Sequence, residues 1–283
     1  MNQGILGNAR ATGGSPSRPF ATPAQARDGT DASLVISPAA LASTRRGTGR
    51  EWFWEAFNDF VFAASGLPIS TDGFTFSSQV SGAGADGTLA GPLNNQFSGR
   101  PVAGLLTLST GTTSTGRAGY DSNNTTTTHR FDTGRSTFEG LIYLPDLSSA
   151  TEEYIFRIGW CQGNSLSGSM LFFEYDRSVS TNWRGGARYY GSGSYVDLGV
   201  PVTQAQWIML RIEVDGSRNQ GDFAVASFFV NNTLCAVHTS NVPGDGSSRM
   251  GCHLLKTAGT TSRSAVIDYV YYRHDFGTRR TFS

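Results

Sequence analysis

Cysteine is scarce in this chain of 283 residues: only Cys161, Cys235 and Cys252 are present, far apart in the sequence. Their number is odd and no two of them form a C-x-x-C pair, which argues against a zinc site and against a disulfide framework. We therefore expect reduced, mostly buried thiols in a protein that is made in a cytoplasm.

An excess of charge of one sign is also missing, because 22 basic residues stand against 22 acidic ones. A balanced chain shows neither the basic footprint of a nucleic-acid-binding protein nor a polybasic membrane surface. No apolar run approaches the length of a membrane span, and the opening MNQGILGNAR lacks the charged and apolar regions of a signal peptide. We expect neither nucleic-acid binding nor membrane insertion, and no cleaved leader.

Clusters of metal-binding or catalytic residues are absent as well. The four histidines are too far apart to share the i, i+2 or i, i+4 spacing of one metal face, and we expect neither a metal nor another cofactor. The histidines are His129, His238, His253 and His274.

One acidic pair, Glu213 and Asp215, has the i, i+2 spacing that places two carboxylates on one face of a strand. Glycosidases with a concanavalin-like β-sandwich place Glu-x-Asp-x-x-Glu on one strand, and residues i and i+2 lie about 6.5 to 7 Å apart on one face. Here the third acidic position is Arg218. We therefore expect a strand end with solvent-facing carboxylates, with glycan hydrolysis as the alternative, and we expect Glu174 and Asp176 to lie on a similar rim.

What the chain has in quantity is glycine, 35 residues, and aromatic side chains, 12% of the total. Turn residues mixed with β-formers favour an all-β protein, and from about residue 70 short apolar or alternating segments follow one another between turn signals. The segments predicted to be strands are 73–82, 104–110, 128–134, 137–145, 153–160, 169–176, 187–193, 194–200, 206–216, 223–240 and 265–276. The aromatic segment 51–62, EWFWEAFNDFVF, fits helix and strand equally well.

Residues 1–50 differ from the rest of the chain in being small, polar and poor in large apolar groups. Such a segment cannot offset its own ordering entropy, so we expect it to lie along a partner chain. Thr22-Pro23 and Ser37-Pro38 each place a cap residue before a proline, which predicts two short helices. We therefore divide the chain into an extended N-terminal arm, 1–50, and a β-domain, 51–283.

The arm contains FATPAQARDGTDASLVISPAALA, residues 20–42. This segment resembles a repeat found in tail fibres and other host-contact proteins of tailed bacteriophages. The resemblance implies a virion protein that docks on tail or baseplate proteins through its N-terminus. Five apolar residues are then expected to be buried against another subunit: Ala24, Leu34, Val35, Ile36 and Leu41.

The β-domain carries a second resemblance, over about residues 55–276. QWIMLRIEVDG is followed by VASFFVNNTLCAVHTSNVP, in which Asn231-Asn232 suits a two-residue hairpin turn with positive φ. With the closing segment AVIDYVYYRHDF, this order is similar to concanavalin-like and laminin-G-like jelly-roll sandwiches, the lectin-like domains that end many phage fibres. The resemblance implies a non-enzymatic homotrimer in the virion tail, with a host-surface glycan as a possible ligand.

A binding surface is predicted within residues 181–197, TNWRGGARYYGSGSYVD. Aromatic rings among glycines and arginines suit stacking on sugars and also suit a subunit interface. A third alternative is that the rings simply cover the face of the sandwich. The residues concerned are Trp183, Arg184, Arg188, Tyr189, Tyr190 and Tyr195.

Overall fold

The computed structural model describes residues 53–62, 68–70, 76–78, 80–90, 105–122, 131, 134–161, 168–216, 224–244 and 248–275. The N-terminal arm predicted for residues 1–50, with its two short helices and its five attachment residues, lies outside this part. So does Arg218.

The described chain is built from strands, and within it no α-helix occurs and hence no helix that could span a membrane. Nine strands form one antiparallel sheet: β1 (Phe53–Phe62), β2 (Pro68–Ser70), β4 (Ala85–Ala90), β5 (Leu105–Thr110), β7 (Arg135–Tyr143), β12 (Trp207–Asp215), β13 (Val225–Val230), β14 (Thr233–His238) and β16 (Ser264–Asp275). Seven form the other: β3 (Phe76–Ser78), β6 (Arg117–Ser122), β8 (Glu153–Trp160), β9 (Met170–Asp176), β10 (Asn182–Tyr189), β11 (Ser192–Pro201) and β15 (Gly251–Ala258).

The nine-stranded sheet runs in the order β14-β13-β12-β7-β16-β1-β2, and β5, with β4 beside it, pairs with the first half of β16. The seven-stranded sheet runs in the order β11-β10-β9-β8-β15-β6-β3. The chain passes repeatedly from one sheet to the other, for example between β5 and β6, between β7 and β8 and between β11 and β12, so each sheet is assembled from interleaved parts of the chain. This is the all-β sandwich of two antiparallel sheets that the sequence predicted.

The core lies between the sheets because the strands alternate in polarity. In β12 the even-numbered side chains, such as Leu210 and Ile212, are fully buried, whereas the odd-numbered ones face outward. Aromatic rings from the two sheets meet edge to face: Phe173 and Phe228 lie 5.3 Å apart between centroids. A large ring buried in this way contributes about 2 to 3 kcal/mol.

The aromatic segment whose periodicity left helix and strand open is β1. It pairs with β16 along residues 53–59 and with β2 along residues 60–62. Because the longer of these pairings is with β16, far away in the sequence, local periodicity could not decide it. The Asn231-Asn232 turn is as predicted, with φ values of 48° and 67°.

Strand β15 was missed by the sequence analysis, although it lies near the middle of its sheet, between β8 and β6. Its sequence, GCHLLKTA, places His253 and Lys256 among apolar residues, which is not the alternation of a strand with one wet face. Both side chains are nevertheless buried. Their polar groups have partners elsewhere in the fold: Asp121 on β6 for His253, and the carbonyl of Gly111, directly after β5, for Lys256.

Candidate functional site

The predicted binding segment is the β10–β11 hairpin at the edge of the seven-stranded sheet. Its strands pair from Asn182 with Pro201 to Tyr189 with Ser192. Tyr190 and Gly191 form the two-residue turn, with φ values of 44° and 89°, as the right-handed twist of a hairpin favours. The hairpin is therefore a defined structure.

Strand alternation divides the predicted residues between two faces. Trp183 faces the core and is fully buried, 6.3 Å from the rings of Phe156 and Tyr175. A ring with no exposed surface cannot stack on a ligand. The prediction that Trp183 belongs to a binding surface is therefore wrong, because its position in β10 points it inward.

The tip of the hairpin carries three of the residues that were predicted to form a binding surface. Tyr190 is 70% exposed, and its ring packs edge to face on Tyr189 at 4.6 Å. Arg188 donates from Nη2 to the Gly191 carbonyl at 2.6 Å, which ties the arginine to the turn. We call Arg188, Tyr189 and Tyr190 the hairpin-tip surface.

The other two residues lie on the outer face of the sheet, away from the core. The guanidinium of Arg184 sits over the ring of Tyr195 at 4.4 Å, within cation–π range. Tyr195 packs on the buried ring of Phe172 at 6.0 Å. Arg184 and Tyr195 thus form one unit, which is half-buried and fixed by its neighbours.

Beneath Arg184 lies an ion-pair row that the sequence analysis did not find. Arg157, Glu174 and Arg184 are neighbours on β8, β9 and β10. Glu174 accepts from Arg157 Nε at 2.8 Å and from Arg184 Nη1 at 3.0 Å. Its side chain is 3% exposed, so the expectation of a solvent-facing rim at Glu174 is wrong. Asp176, two residues on, is at the strand end as expected.

The row continues with His253, which pairs with Arg157 in the ladder. His253 Nε2 lies 2.7 Å from Asp121 Oδ1, and the ring is completely buried. A side chain on Gly119 would collide with His253 Nδ1, so glycine is required where the ring crosses β6. In the sequence, this row is visible only as single charged residues within apolar segments. Each of these residues resembles a charged residue at the solvent-exposed end of a strand.

Beside this row, at the sheet edge, Asp197 pairs with Arg184 across the hairpin. It accepts hydrogen bonds from Ser180, Asn182 and the Gly199 N–H. These bonds, the one from Ser180 first, favour the charged carboxylate and lower the pKa of Asp197. Asp197 is exposed and ionised at neutral pH, beside the half-buried Arg184.

The alternative catalytic pair occupies the other sheet. Glu213 and Asp215 both face outward at the end of β12, on either side of the inward-facing Val214, as predicted. Arg211 Nε lies 3.1 Å from Glu213 Oε1, and Arg135 Nη2 lies 3.5 Å from Asp215 Oδ2. Each carboxylate therefore has an arginine partner.

Among the described residues, no group of three or more His, Cys, Asp or Glu side chains could hold a metal ion. The thiols are free; Cys161 and Cys252 are buried and Cys235 is partly buried. Burial raises the pKa of Cys252 to about 12.

No protein-family model matches this chain. No curated protein matches it significantly. Among solved structures, the chain is similar to a protein of unknown function from Shewanella oneidensis MR-1, with 14% identity, a TM-score of 0.53 and coverage of 88% of this chain and 98% of that one. Further similarities are to an endo-β-1,4-glucuronan lyase from the fungus Trichoderma reesei (12% identity, TM-score 0.48, 76% and 93% covered) and to the binding domain of botulinum neurotoxin DC (11%, 0.47, 80% and 49%). The first similarity supports the fold; none of them speaks to what the chain binds.

Proposed function

We propose that this chain is a non-enzymatic virion protein, a short tail fibre of a tailed bacteriophage whose β-domain attaches to a glycan on the host surface. Residues 1–50 dock on tail or baseplate proteins, and the chain assembles as a homotrimer after synthesis in the host cytoplasm. The support is the sequence resemblance of residues 20–42 together with the lectin-like sandwich fold.

The observation that carries the glycan proposal is the hairpin-tip surface. Tyr190 offers an exposed ring, Tyr189 supports it from one side, and the anchored Arg188 offers donors beside it. Stacking of an aromatic ring on the apolar face of a sugar, with polar groups at its margin, is a common basis for weak carbohydrate binding. Because the turn is fixed, little conformational entropy is lost on contact.

Competition for adsorption tests this proposal. Purified full-length chain is added to host cells before the phage, and we expect it to reduce adsorption. The variant Tyr190→Ala should compete at least about fivefold less well, because one exposed aromatic contact is lost. Val179→Ala, another exposed apolar residue outside the hairpin tip, is the control.

A chain that never blocks adsorption would contradict the receptor-binding role and would favour the alternative of a decoration or adaptor protein. Truncation to residues 51–283 tests the arm: we expect a folded domain that no longer incorporates into particles. Light scattering of the full chain should give three times the mass of 30.3 kDa.

A second candidate function is depolymerisation of a glycan by Glu213 and Asp215. It is favoured by one observation, that both carboxylates face the same side of β12. A reducing-sugar assay on host polysaccharide separates the two functions, because turnover that is lost in Glu213→Gln would establish an enzyme.

A further inference from the structure

An open cleft of about 510 Å³ lies on the outer face of the nine-stranded sheet, where β7 begins and β12 and β16 end. Its volume is within the range of about 300 to 1,000 Å³ that small-molecule sites occupy. The cleft is lined by residues of two neighbouring cross-strand rows. The first row is Ser227, Glu213, Thr137 and Arg273, and the second is Val225, Asp215, Arg135 and Asp275.

The depression arises from the lengths of the side chains in these rows. Ser227 and Thr137 are short and lie on either side of Glu213, and Thr137 separates Glu213 from Arg273. Neighbouring strands are about 4.8 Å apart, so a short residue between two long ones leaves space above the sheet. The long side chains of Glu213, Arg135 and Arg273 form the walls.

The wall residue Glu213 is held from outside the cleft. Its partner Arg211 packs over the ring of Phe229 at 4.3 Å and donates to Asn232 Oδ1 at 3.0 Å. The 3.1 Å ion pair between Arg211 and Glu213 therefore orients the carboxylate before any ligand arrives. The side chain of Glu213 is still 47% exposed, so its carboxylate can accept further hydrogen bonds.

Other polar groups of the cleft are available as well. The hydroxyls of Thr137 and Ser227 make no side-chain hydrogen bond within the described part of the chain. Arg135 is 70% exposed, and its contact with Asp215 is long, at 3.5 Å. Donors and acceptors thus alternate around one concave surface.

The charges select the ligand. Three carboxylates and two guanidinium groups line the cleft. An anionic ligand is therefore repelled by the carboxylates, and a cationic ligand is repelled by the guanidinium groups. A hydroxyl group both donates and accepts, and it can therefore satisfy a carboxylate and a neighbouring guanidinium or hydroxyl together. We propose that this cleft binds a neutral, polyhydroxylated ligand, a mono- or disaccharide unit of a glycan.

A peptide fits the cleft less well. The floor strands β12 and β7 are paired on both sides at residues 213–215 and 135–137, so no free backbone edge is available for strand addition. Among the described lining residues, Val225 is the one apolar side chain that faces outward. The inference concerns a second site on the other sheet, and it does not rest on the hairpin-tip surface.

Titration calorimetry and saturation-transfer NMR on the full-length chain test the inference. The neutral probes are lactose, maltose, cellobiose and rhamnose disaccharide; the others are a galacturonic-acid disaccharide, a glucosamine disaccharide and triglycine. We expect saturable binding of at least one neutral disaccharide. Binding of a charged probe or of triglycine at equal or higher affinity would overturn the assignment, and so would the absence of any neutral binding.

Variants locate the site. Thr137→Val and Ser227→Ala each remove one hydroxyl and should weaken binding about threefold to tenfold, and Glu213→Gln should weaken it about tenfold or more. Glu153→Gln, on the other sheet, is the matched control and should leave binding unchanged. Ser227→Trp fills the floor and should abolish binding even if Glu213→Gln does not fold.

The measurement is repeated in the Tyr190→Ala background, which removes the proposed hairpin-tip contact; the disaccharide binding that remains there should still be lost when Ser227→Trp is added. Saccharide binding that survives both Glu213→Gln and Ser227→Trp would place the ligand elsewhere and would refute the inference.

Discussion

Substitution of Glu174 by glutamine is the sharpest test of how the seven-stranded sheet is held together. Glu174 is the one acceptor between Arg157 and Arg184, and the three side chains are between 3% and 14% exposed. Glutamine keeps the size and one carbonyl acceptor, but it removes the buried carboxylate that Arg157 and Arg184 share, and the remaining carboxylate beside Arg184, Asp197, is exposed to solvent. Breaking a buried ion pair from one side costs about 3 to 5 kcal/mol.

In a domain of this size, 1 kcal/mol corresponds to about 2 to 4 °C in Tm, so the expected decrease is about 6 to 20 °C. Urea unfolding and calorimetry of purified protein measure it. Glu153→Gln, a half-buried carboxylate on β8 without a buried partner, should change the free energy of unfolding by less than about 0.5 kcal/mol. A loss below about 1 kcal/mol for Glu174→Gln would refute the reasoning.

The triple variant with Arg157→Met, Glu174→Leu and Arg184→Met separates the cost of an unpaired charge from the value of the network. Replacing all three charged groups by apolar ones of similar size is often neutral or stabilising. We therefore expect the triple variant to be more stable than Glu174→Gln alone. A triple variant less stable than the single one would show that the network itself contributes the stability.

The remaining predictions concern single residues. Asn232→Val should cost about 1 to 2 kcal/mol in urea unfolding, because φ is 67° there; Asn232→Gly, which tolerates that φ, is the control. Burial lowers the pKa of His238 from 6.5, so the unfolded state binds more protons than the folded state below that pH. The free energy of unfolding should therefore fall as the pH drops through 6.5, and His238→Gln should reduce this pH dependence. Native protein should expose one reactive thiol to a thiol reagent, Cys235, because Cys161 and Cys252 are buried with raised pKa values; three fast-reacting thiols in native protein would contradict the packing.

Local patterns predicted those elements whose environment repeats along the chain. The alternation in β12 and β13 and the Asn231-Asn232 turn follow from side-chain period and turn chemistry, whereas the predicted strand 187–193 spans the Tyr190-Gly191 turn between β10 and β11. The outward direction of Glu213 and Asp215 follows from the same period. These features depend on neighbours within a few residues.

Other features depend on strands that meet from distant parts of the sequence. Residues 53–59 became part of a strand because β16, far away in the sequence, pairs with them. Glu174 became buried because Arg157 and Arg184 flank it in the sheet, and Trp183 was assigned to a surface although its register points it to the core. A charged residue within an apolar segment gives the same local sequence pattern whether it lies at the solvent-exposed end of a strand or in a buried ion-pair network.

The sequence by itself therefore determined the all-β class, most of the strands and the Asn231-Asn232 turn, because backbone period and turn preference are local properties. Only the tertiary structure decided which carboxylates are buried with arginines, which aromatic rings remain exposed, and that the ends of β7, β12 and β16 share a cleft. Those outcomes depend on cross-strand register, which joins residues such as Thr137, Glu213 and Arg273 that are far apart in the chain.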